Sequence, residues 1–95
     1  MNGEVYILTI VKEIEAEIPE VITFAFGNNK TAFDAYCIYV DYARCEAENY
    51  ESAHEEEISS DTYGHYRIND ASGANAITVE LQLKSVIGEY EDMAF

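Results

Sequence analysis

The sequence has very little positive charge. Of its 95 residues, 5 are Lys or Arg and 19 are Asp or Glu, which gives a formal net charge of −14. Small soluble domains usually carry a net charge of about 2–8 in magnitude. A surface this negative repels nucleic acid and anionic membranes, and it attracts basic proteins, including their nucleic-acid sites. We therefore expect no direct binding of nucleic acid or membranes, although acidity can also serve solubility alone.

Tryptophan, proline and long apolar runs are also scarce. The chain has no Trp and one Pro, and the apolar run at residues 5–11 is too short to cross a bilayer. No basic segment precedes it, so we expect no secretory signal. Cys37 and Cys45 lie in a predicted helix, roughly 12 Å apart along its axis, which is too far for a disulfide. Reduced thiols then favour a cytoplasmic location, which is the host-cell cytoplasm if the protein is phage-encoded.

The hydrophobic pattern predicts a single α+β domain over residues 1–95. Most apolar segments alternate with a period of two, whereas one central segment has a helical period. The predicted strands are residues 4–14, 20–26, 56–69 and 76–87, the predicted helix is residues 32–51, and residues 88–95 form an acidic tail. This ββαββ order predicts a four-stranded antiparallel sheet with one long helix packed on one face.

The predicted helix has an apolar stripe and a mixed outer face. Thr31 is predicted to be its N-cap, with Asp34 completing a capping box and facing the helix dipole. At about 100° per residue, the stripe that packs on the sheet contains Phe33, Tyr36, Val40, Ala43 and Ala47. On the other side, acids that recur every seven residues lie beside apolar groups: Asp34, Asp41 and Glu48 beside Ile38, Tyr42 and Cys45.

Acids beside apolar groups on an outward face are typical of a binding surface for a basic protein. Three further acids follow the helix. The predicted binding residues are Asp34, Ile38, Asp41, Tyr42, Glu48, Glu55, Glu56 and Glu57. Alternatively, other parts of the chain cover these apolar groups, and the acids are only solvated.

The helix alone is too sparsely charged to imitate nucleic acid. Residues 34–57 contain eight acids and one Arg, or about one net charge per 5 Å of helix, against one per about 1.7 Å in duplex DNA. Mimicry requires that Glu13, Glu15 and Glu17, or Glu55–Glu57, converge on the same surface. In size, charge and strand–helix order, the chain resembles the small acidic inhibitors made by phages and mobile elements, including anti-CRISPR proteins. The resemblance implies an inhibitor that blocks the basic nucleic-acid-binding site of an effector, and it assigns no residue roles.

The residues that could carry catalysis form no recognised motif. His54 and His65 lie near acids and are the candidate metal ligands, but the sequence has no HExxH and no paired Cys/His spacing. The cysteines lie within the helix body, and no Gly-rich phosphate loop is present. We therefore expect a non-enzymatic protein with no catalytic residues, cofactor or metal; a metal-dependent enzyme using these histidines is the remaining alternative.

The first strand is apolar on both faces. One face of the predicted strand carries Val5, Ile7 and Val11, and the other face carries Tyr6, Leu8 and Ile10. One helix can cover only one face of the sheet. The alternative function is thus a small structural or regulatory domain that homodimerises through Val5, Ile7 and Val11, with its acidity serving solubility.

Overall fold

The computed structural model describes residues 3–86, and this part of the chain has the order ββαβββ. The elements are β1 (Gly3–Glu13), β2 (Glu20–Phe26), α1 (Asn29–Glu46), a 3₁₀ turn (Ala47–Asn49), β3 (His54–Ser59), β4 (Tyr63–Asn69) and β5 (Ala76–Val86). The strands form one antiparallel sheet in the order β2-β1-β5-β4-β3. The α+β class is confirmed, and β2 and β3 are the two edge strands. Among the described helices, none has the length and apolar character needed to cross a membrane.

The sheet has five strands and not the expected four, because the predicted strand at residues 56–69 is a hairpin of two strands. β3 and β4 pair with Glu57 opposite Tyr66. Between them the backbone N–H of Ser60 donates to the carbonyl of Tyr63 at 2.8 Å, which closes a tight turn. The run Ser-Ser-Asp-Thr supplies residues that favour turns. The ββαββ prediction was wrong at this point because the turn continued the alternation without a Gly or Pro to mark it.

The helix begins and ends earlier than the predicted residues 32–51. Its N-cap is Asn28, whose side-chain oxygen accepts from the N–H of Thr31 at 2.8 Å. Thr31 therefore lies within the first turn, and the prediction that it caps the helix was wrong. The first turn contains no acid, so Asp34 does not complete a capping box. At the other end, Glu48 lies in the 3₁₀ turn beyond Glu46, which interrupts the expected row of three acids.

The remaining boundaries lie close to the expected ones. β2 covers the predicted residues, and its antiparallel pairing with β1 is confirmed. β1 ends at Glu13, because the following residues form a turn in which Ala16 has a φ of 63° and Glu17 N–H donates to the Ile14 carbonyl at 3.0 Å. The end of the last predicted strand at Ile87 and the acidic tail 88–95 lie outside the described residues.

The core lies between α1 and one face of the sheet. The helix contributes the expected stripe, although Phe33 is only partly buried and Ala32 is fully buried. The sheet residues buried in this core come from the three central strands: Tyr6, Leu8, Ile10, Tyr66, Ile68, Ile77, Val79 and Leu81. Each fully buried Leu, Ile or Val stabilises the fold by about 1.5–3 kcal/mol. This packing fixes which way the side chains of the two edge strands point.

The other face of the sheet is not covered by any described element. Val5, Ile7 and Val11 lie there, half-buried between their neighbours. The β4 end of this face is polar, and Arg67 lies 3.4 Å from Glu13 and 3.1 Å from Thr78. The expectation that the helix covers one sheet face only is therefore confirmed for residues 3–86.

Candidate functional site: an acidic groove between the helix and an edge strand

The strand register of β3 directs two glutamates towards the helix. Glu55 pairs with Ile68 and Glu57 pairs with Tyr66, and both partners belong to the buried core under α1. Because side chains of paired residues in an antiparallel sheet share a face, these two carboxylates lie on the helix side. Glu56 points to the opposite, uncovered face. The alternation of one short strand thus separates three consecutive acids.

Arg44 on α1 lies between the two glutamates and a third acid. Its Nε is 3.4 Å from Glu55 Oε2, and its two terminal nitrogens are 3.9 Å from Glu57 Oε1 and 3.7 Å from Asp41 Oδ1. We call Tyr36, Asp41, Arg44, Glu55, Glu57 and Tyr66 the acidic groove. Three carboxylates against one guanidinium leave it with a net charge of −2. The charges come from helix and strand segments that are separate in the sequence.

Two tyrosines from the core hold the glutamates in place. The hydroxyl of Tyr36 donates to Glu57 Oε2 at 3.1 Å, and that of Tyr66 donates to Glu55 Oε2. The guanidinium carbon of Arg44 is 5.1 Å from the centre of the Tyr66 ring, within cation–π distance. Because both rings are buried, the hydroxyls are fixed and they orient the carboxylates before any partner arrives.

The protonation states of the groove follow from these contacts. Burial, together with the hydrogen bond to Glu55, raises the pKa of Tyr66 to about 12. Burial and the Glu57 carboxylate likewise raise the pKa of Tyr36. The hydrogen bond from Tyr66, aided by Arg44, lowers the pKa of Glu55. At neutral pH the tyrosines are therefore donors and Glu55 is ionised.

A small cavity opens between the helix and β3. Its volume is about 120 Å³, and it is lined by Tyr36, Cys37, Val40, Asp41, Arg44 and Glu57. Pockets for drug-sized ligands occupy about 300–1,000 Å³, whereas one water accounts for about 30 Å³ of liquid. The cavity thus suits the end of a single side chain. Carboxylate oxygens beside an aromatic ring are groups that bind Lys and Arg.

A second, wider depression lies at the start of the helix. It has a volume of about 540 Å³ and is lined by Asn29, Phe33, Ser60, Asp61 and Thr62. The side-chain amide of Asn29 donates to the Asp61 carbonyl at 2.8 Å and to the Tyr6 hydroxyl at 3.0 Å. These bonds tie the helix start to the β3–β4 turn and so help to fix β3 beside α1.

The structure brings together only part of the predicted binding set. Asp41, Glu55 and Glu57 meet in the groove. Glu48 lies in the 3₁₀ turn and Glu56 on the other sheet face. The sequence pattern did not single out Arg44, Tyr36 or Tyr66 as parts of a site. The alternation of Glu55 and Glu57 would have indicated their common face, if the boundary of β3 had been known.

The remaining predicted residues lie on the outer surface of α1. Ile38 is 65% exposed and Tyr42 is 41% exposed, so no described residue covers this face. Asp34 is also exposed, and its carboxylate binds Lys30 at 2.8 Å. Cys45 is exposed and unpaired, as is Cys37. The outer face is therefore mixed, as the sequence predicted, and it adjoins the groove at Asp41.

The other acidic row does not reach the groove. Glu13 lies at the end of β1 with its carboxylate 3.4 Å from Arg67, on the uncovered sheet face. Glu15 and Glu17 belong to the exposed turn that follows, where the backbone N–H of Glu15 donates to Asn75. Mimicry of nucleic acid required one of two acidic clusters to lie beside the helix acids. The cluster of Glu13, Glu15 and Glu17 does not, and of Glu55–Glu57 only Glu55 and Glu57 do.

The two histidines are not brought together. Both lie on the uncovered face, but His54 is opposite Asn69, whereas His65 is opposite Ile58. Four strand residues therefore separate them, or roughly 13 Å at about 3.3 Å per residue. Within residues 3–86, no group of three or more His, Cys, Asp or Glu is arranged to hold a metal ion. His65 Nδ1 instead lies 3.6 Å from Glu80, which also accepts from the Tyr63 hydroxyl at 2.9 Å.

Comparison with protein-family models, with curated proteins and with solved structures gives no match for this chain. The geometry and charge of the chain's own residues are therefore the basis for a functional assignment. Of the features described, the acidic groove has the most definite chemistry. It has fixed carboxylates, a small cavity and an adjoining exposed apolar surface.

Proposed function

We propose that this protein is a non-enzymatic acidic module that binds a basic protein surface through the acidic groove. The observation that supports the proposal is the convergence of Asp41, Glu55 and Glu57 around Arg44. Acidity that serves only solubility has no need of acids gathered from two elements, two of them aligned by buried hydroxyls. A partner's Lys or Arg would find oriented acceptors there, with little reorganisation on binding.

The surface next to the groove favours a protein over a free cation. Ile38 and Tyr42 are exposed on the same helix that carries Asp41 and Arg44. Interfaces commonly combine apolar anchors with charged groups that steer association and fix register. We infer that the partner places basic side chains in the groove and an apolar group against the outer face of α1.

The sharper form of the proposal is an inhibitor that occupies the basic nucleic-acid site of an effector, like the small acidic inhibitors of phages and mobile elements. Its support is the local density of charge. α1 carries three acids and two bases over 18 residues, or roughly 27 Å at about 1.5 Å per residue. The groove gathers three carboxylates around one guanidinium, with Glu55 and Glu57 roughly 7 Å apart on their strand. The groove is therefore more densely charged than the helix alone.

A direct test measures binding of an oligo-arginine peptide by calorimetry at low and high salt. The variant Asp41→Asn/Glu55→Gln/Glu57→Gln removes three charges and keeps hydrogen-bond acceptors for Tyr36 and Tyr66. We expect it to bind about tenfold or more weakly at low salt, and we expect the affinity of the unaltered protein to fall as salt rises.

The matched control is Glu4→Gln/Glu15→Gln/Glu17→Gln, which makes the same change in net charge at exposed positions away from the groove. It should retain the affinity of the unaltered protein within about twofold. Equal weakening in both variants would mean that net charge alone drives binding, and unchanged binding in the groove variant would refute the proposal.

The inhibitor form has a separate test. Proteins captured from a bacterial lysate on the immobilised chain at two salt concentrations should include a DNA- or RNA-binding protein. Adding the free chain should displace labelled nucleic acid from that protein, and the groove variant should not. Capture of a partner without displacement of nucleic acid would agree with a protein-binding module but would refute inhibition by charge mimicry.

A further inference from the structure

The free edge of β2 is apolar and, beyond Glu20 at its first position, uncharged. Residues 21–29 contain no charged side chain, in a chain of 95 residues with 24 charged ones. β2 pairs with β1 on one side only, and no described strand pairs with its other side. An exposed apolar edge strand presents unpaired backbone groups, and natural proteins usually protect such edges with charge or Pro. Here the only Pro, Pro19, precedes the strand.

Exposed apolar side chains continue from this edge onto the helix. Val21 is 61% exposed, Ile22 is 45% exposed and Phe24 is 38% exposed. The Phe24 ring packs against Tyr39 of α1 at a centroid distance of 5.6 Å, and Tyr39 packs against Tyr42 at 6.1 Å. We call Val21, Ile22, Phe24 and Tyr39 the β2 edge surface. It lies on the side of α1 away from the acidic groove.

We propose that β2 pairs antiparallel with β2 of a second copy, about a two-fold axis at Thr23, the strand's midpoint. This register places Ile22 opposite Phe24 of the second copy on the helix side, and Val21 opposite its Ala25 on the other side. Both of these pairs are apolar, Glu20 lies opposite Phe26 at each end of the joint, and no two like charges are opposed. The two five-stranded sheets become one continuous sheet, with the aromatic clusters of both copies on the same side of the joint.

The charges of the two edges favour this pairing over the other pairings of like chains. β3, the opposite edge, carries three consecutive acids, Glu55–Glu57. Pairing of β3 with itself brings like charges together, and pairing of β3 with β2 places those carboxylates against Ile22 and Phe24. The β2–β2 contact avoids the first cost, and it places only one carboxylate per strand, that of Glu20 at the strand end, opposite an apolar residue, Phe26. It is also isologous, so it closes as a dimer and does not grow into a fibre.

This placement changes the expected dimer surface. Val5, Ile7 and Val11 lie on the uncovered face, and the β2 residues paired with Ile7 and Val11 are Ala25 and Val21. The side chains of Val5, Ile7 and Val11 are half-buried, whereas those of Val21 and Ala25 are exposed. The dimer contact therefore lies at the β2 edge, and the patch of Val5, Ile7 and Val11 flanks the new joint.

Salt distinguishes this inference from the proposed function. Two copies, each with a net charge of −14, repel each other, so added salt screens the repulsion and strengthens the dimer. Binding of a basic partner in the groove weakens with salt. Because the two sites lie on opposite sides of the helix, either proposal can fail without the other.

The test is the mass of the full chain in solution, measured by sedimentation or light scattering over a range of concentrations. We expect about twice the 10.7 kDa of one chain at high concentration, with a larger dimer fraction at high salt. The variants Thr23→Glu and Thr23→Lys each place like charges at the two-fold axis. Each alone should dimerise about tenfold or more weakly, and an equimolar mixture should restore the dimer.

The control variant is Ile58→Glu, which adds the same charge as Thr23→Glu at an exposed position of the opposite edge. It should keep the dimer. Circular dichroism checks that all variants remain folded; Thr23 is exposed, so its substitution leaves the core intact. A full chain that stays monomeric at high concentration and high salt overturns the inference. Failure of the Glu/Lys mixture to restore the dimer, or loss of the dimer in Ile58→Glu, overturns it equally.

Discussion

The ring of Tyr36 lies directly on the backbone of Gly64. A Cβ placed on Gly64 would be 2.8 Å and 2.9 Å from two carbons of that ring, closer than packed atoms approach. The absence of a side chain at this position of β4 lets α1 approach the sheet. The same contact carries the Tyr36 hydroxyl to Glu57 at 3.1 Å. A glycine in the core thus positions one carboxylate of the acidic groove.

Replacing Gly64 by Ala should therefore destabilise the protein. The Tyr36 ring is buried among core residues and cannot move away freely, so we expect a loss of about 1–3 kcal/mol in the free energy of unfolding, as for other overpacked cores. Urea denaturation measures it. The control is Gly27→Ala, because a Cβ there meets nothing within 4 Å. Similar losses at both glycines would contradict the close contact.

The identity of the N-cap gives a second prediction. Asn28 Oδ1 accepts from the N–H of Thr31, so Asn28→Ala should lower the free energy of unfolding by about 1 kcal/mol. Thr31→Ala should cost much less, because Thr31 is exposed within the first turn and Ala has the higher helix propensity. Thermal denaturation of the two variants compares them. A greater loss of stability in the Thr31 variant would indicate that Thr31 caps the helix, as the sequence predicted.

Arg44 lowers the expected affinity of the acidic groove for basic side chains, but it stabilises the fold. Its guanidinium neutralises part of the groove and lies over the Tyr66 ring. The variant Arg44→Met keeps a long stem and removes the charge, so we expect about three- to tenfold tighter binding of the oligo-arginine peptide. The lost ion pairs and cation–π contact should cost about 1 kcal/mol of stability. Calorimetry and urea denaturation measure the two effects, and weaker peptide binding would argue against the groove as the binding site.

The buried hydroxyl of Tyr66 makes stability depend on alkaline pH. Its pKa is raised to about 12 in the folded protein, against about 10 in an unfolded chain. Because the unfolded state loses this proton first, stability is complete below pH 10 and falls as pH rises towards 12, by up to about 3 kcal/mol. Tyr66→Phe removes this contribution and flattens the alkaline slope of Tm, although Tyr36 retains its own. An unchanged slope in the variant would be inconsistent with a buried hydroxyl at this position.

The helix and most strands follow from local pattern, which is why they could be predicted. The stripe of Tyr36, Val40 and Ala43 and the alternation of Ile77, Val79 and Leu81 have periods that only one type of element satisfies. The errors in the prediction concern the ends of the helix and strands and the turn between β3 and β4. Asn28 and Thr31 are both good caps by residue type, and the choice between them depends on where the chain leaves β2.

The sequence by itself determined the α+β class, the core faces of the helix and central strands, and the excess of negative charge. Period and composition are local properties, and they need no knowledge of the fold. Only the tertiary structure decided which acids meet, because the β3–β4 register and the packing of Tyr36 on Gly64 bring Glu57 beside Asp41. It also decided that β2 is an edge, since strand order depends on long-range pairing. The acidic groove and the apolar edge are therefore products of topology, built from residues whose types were already evident.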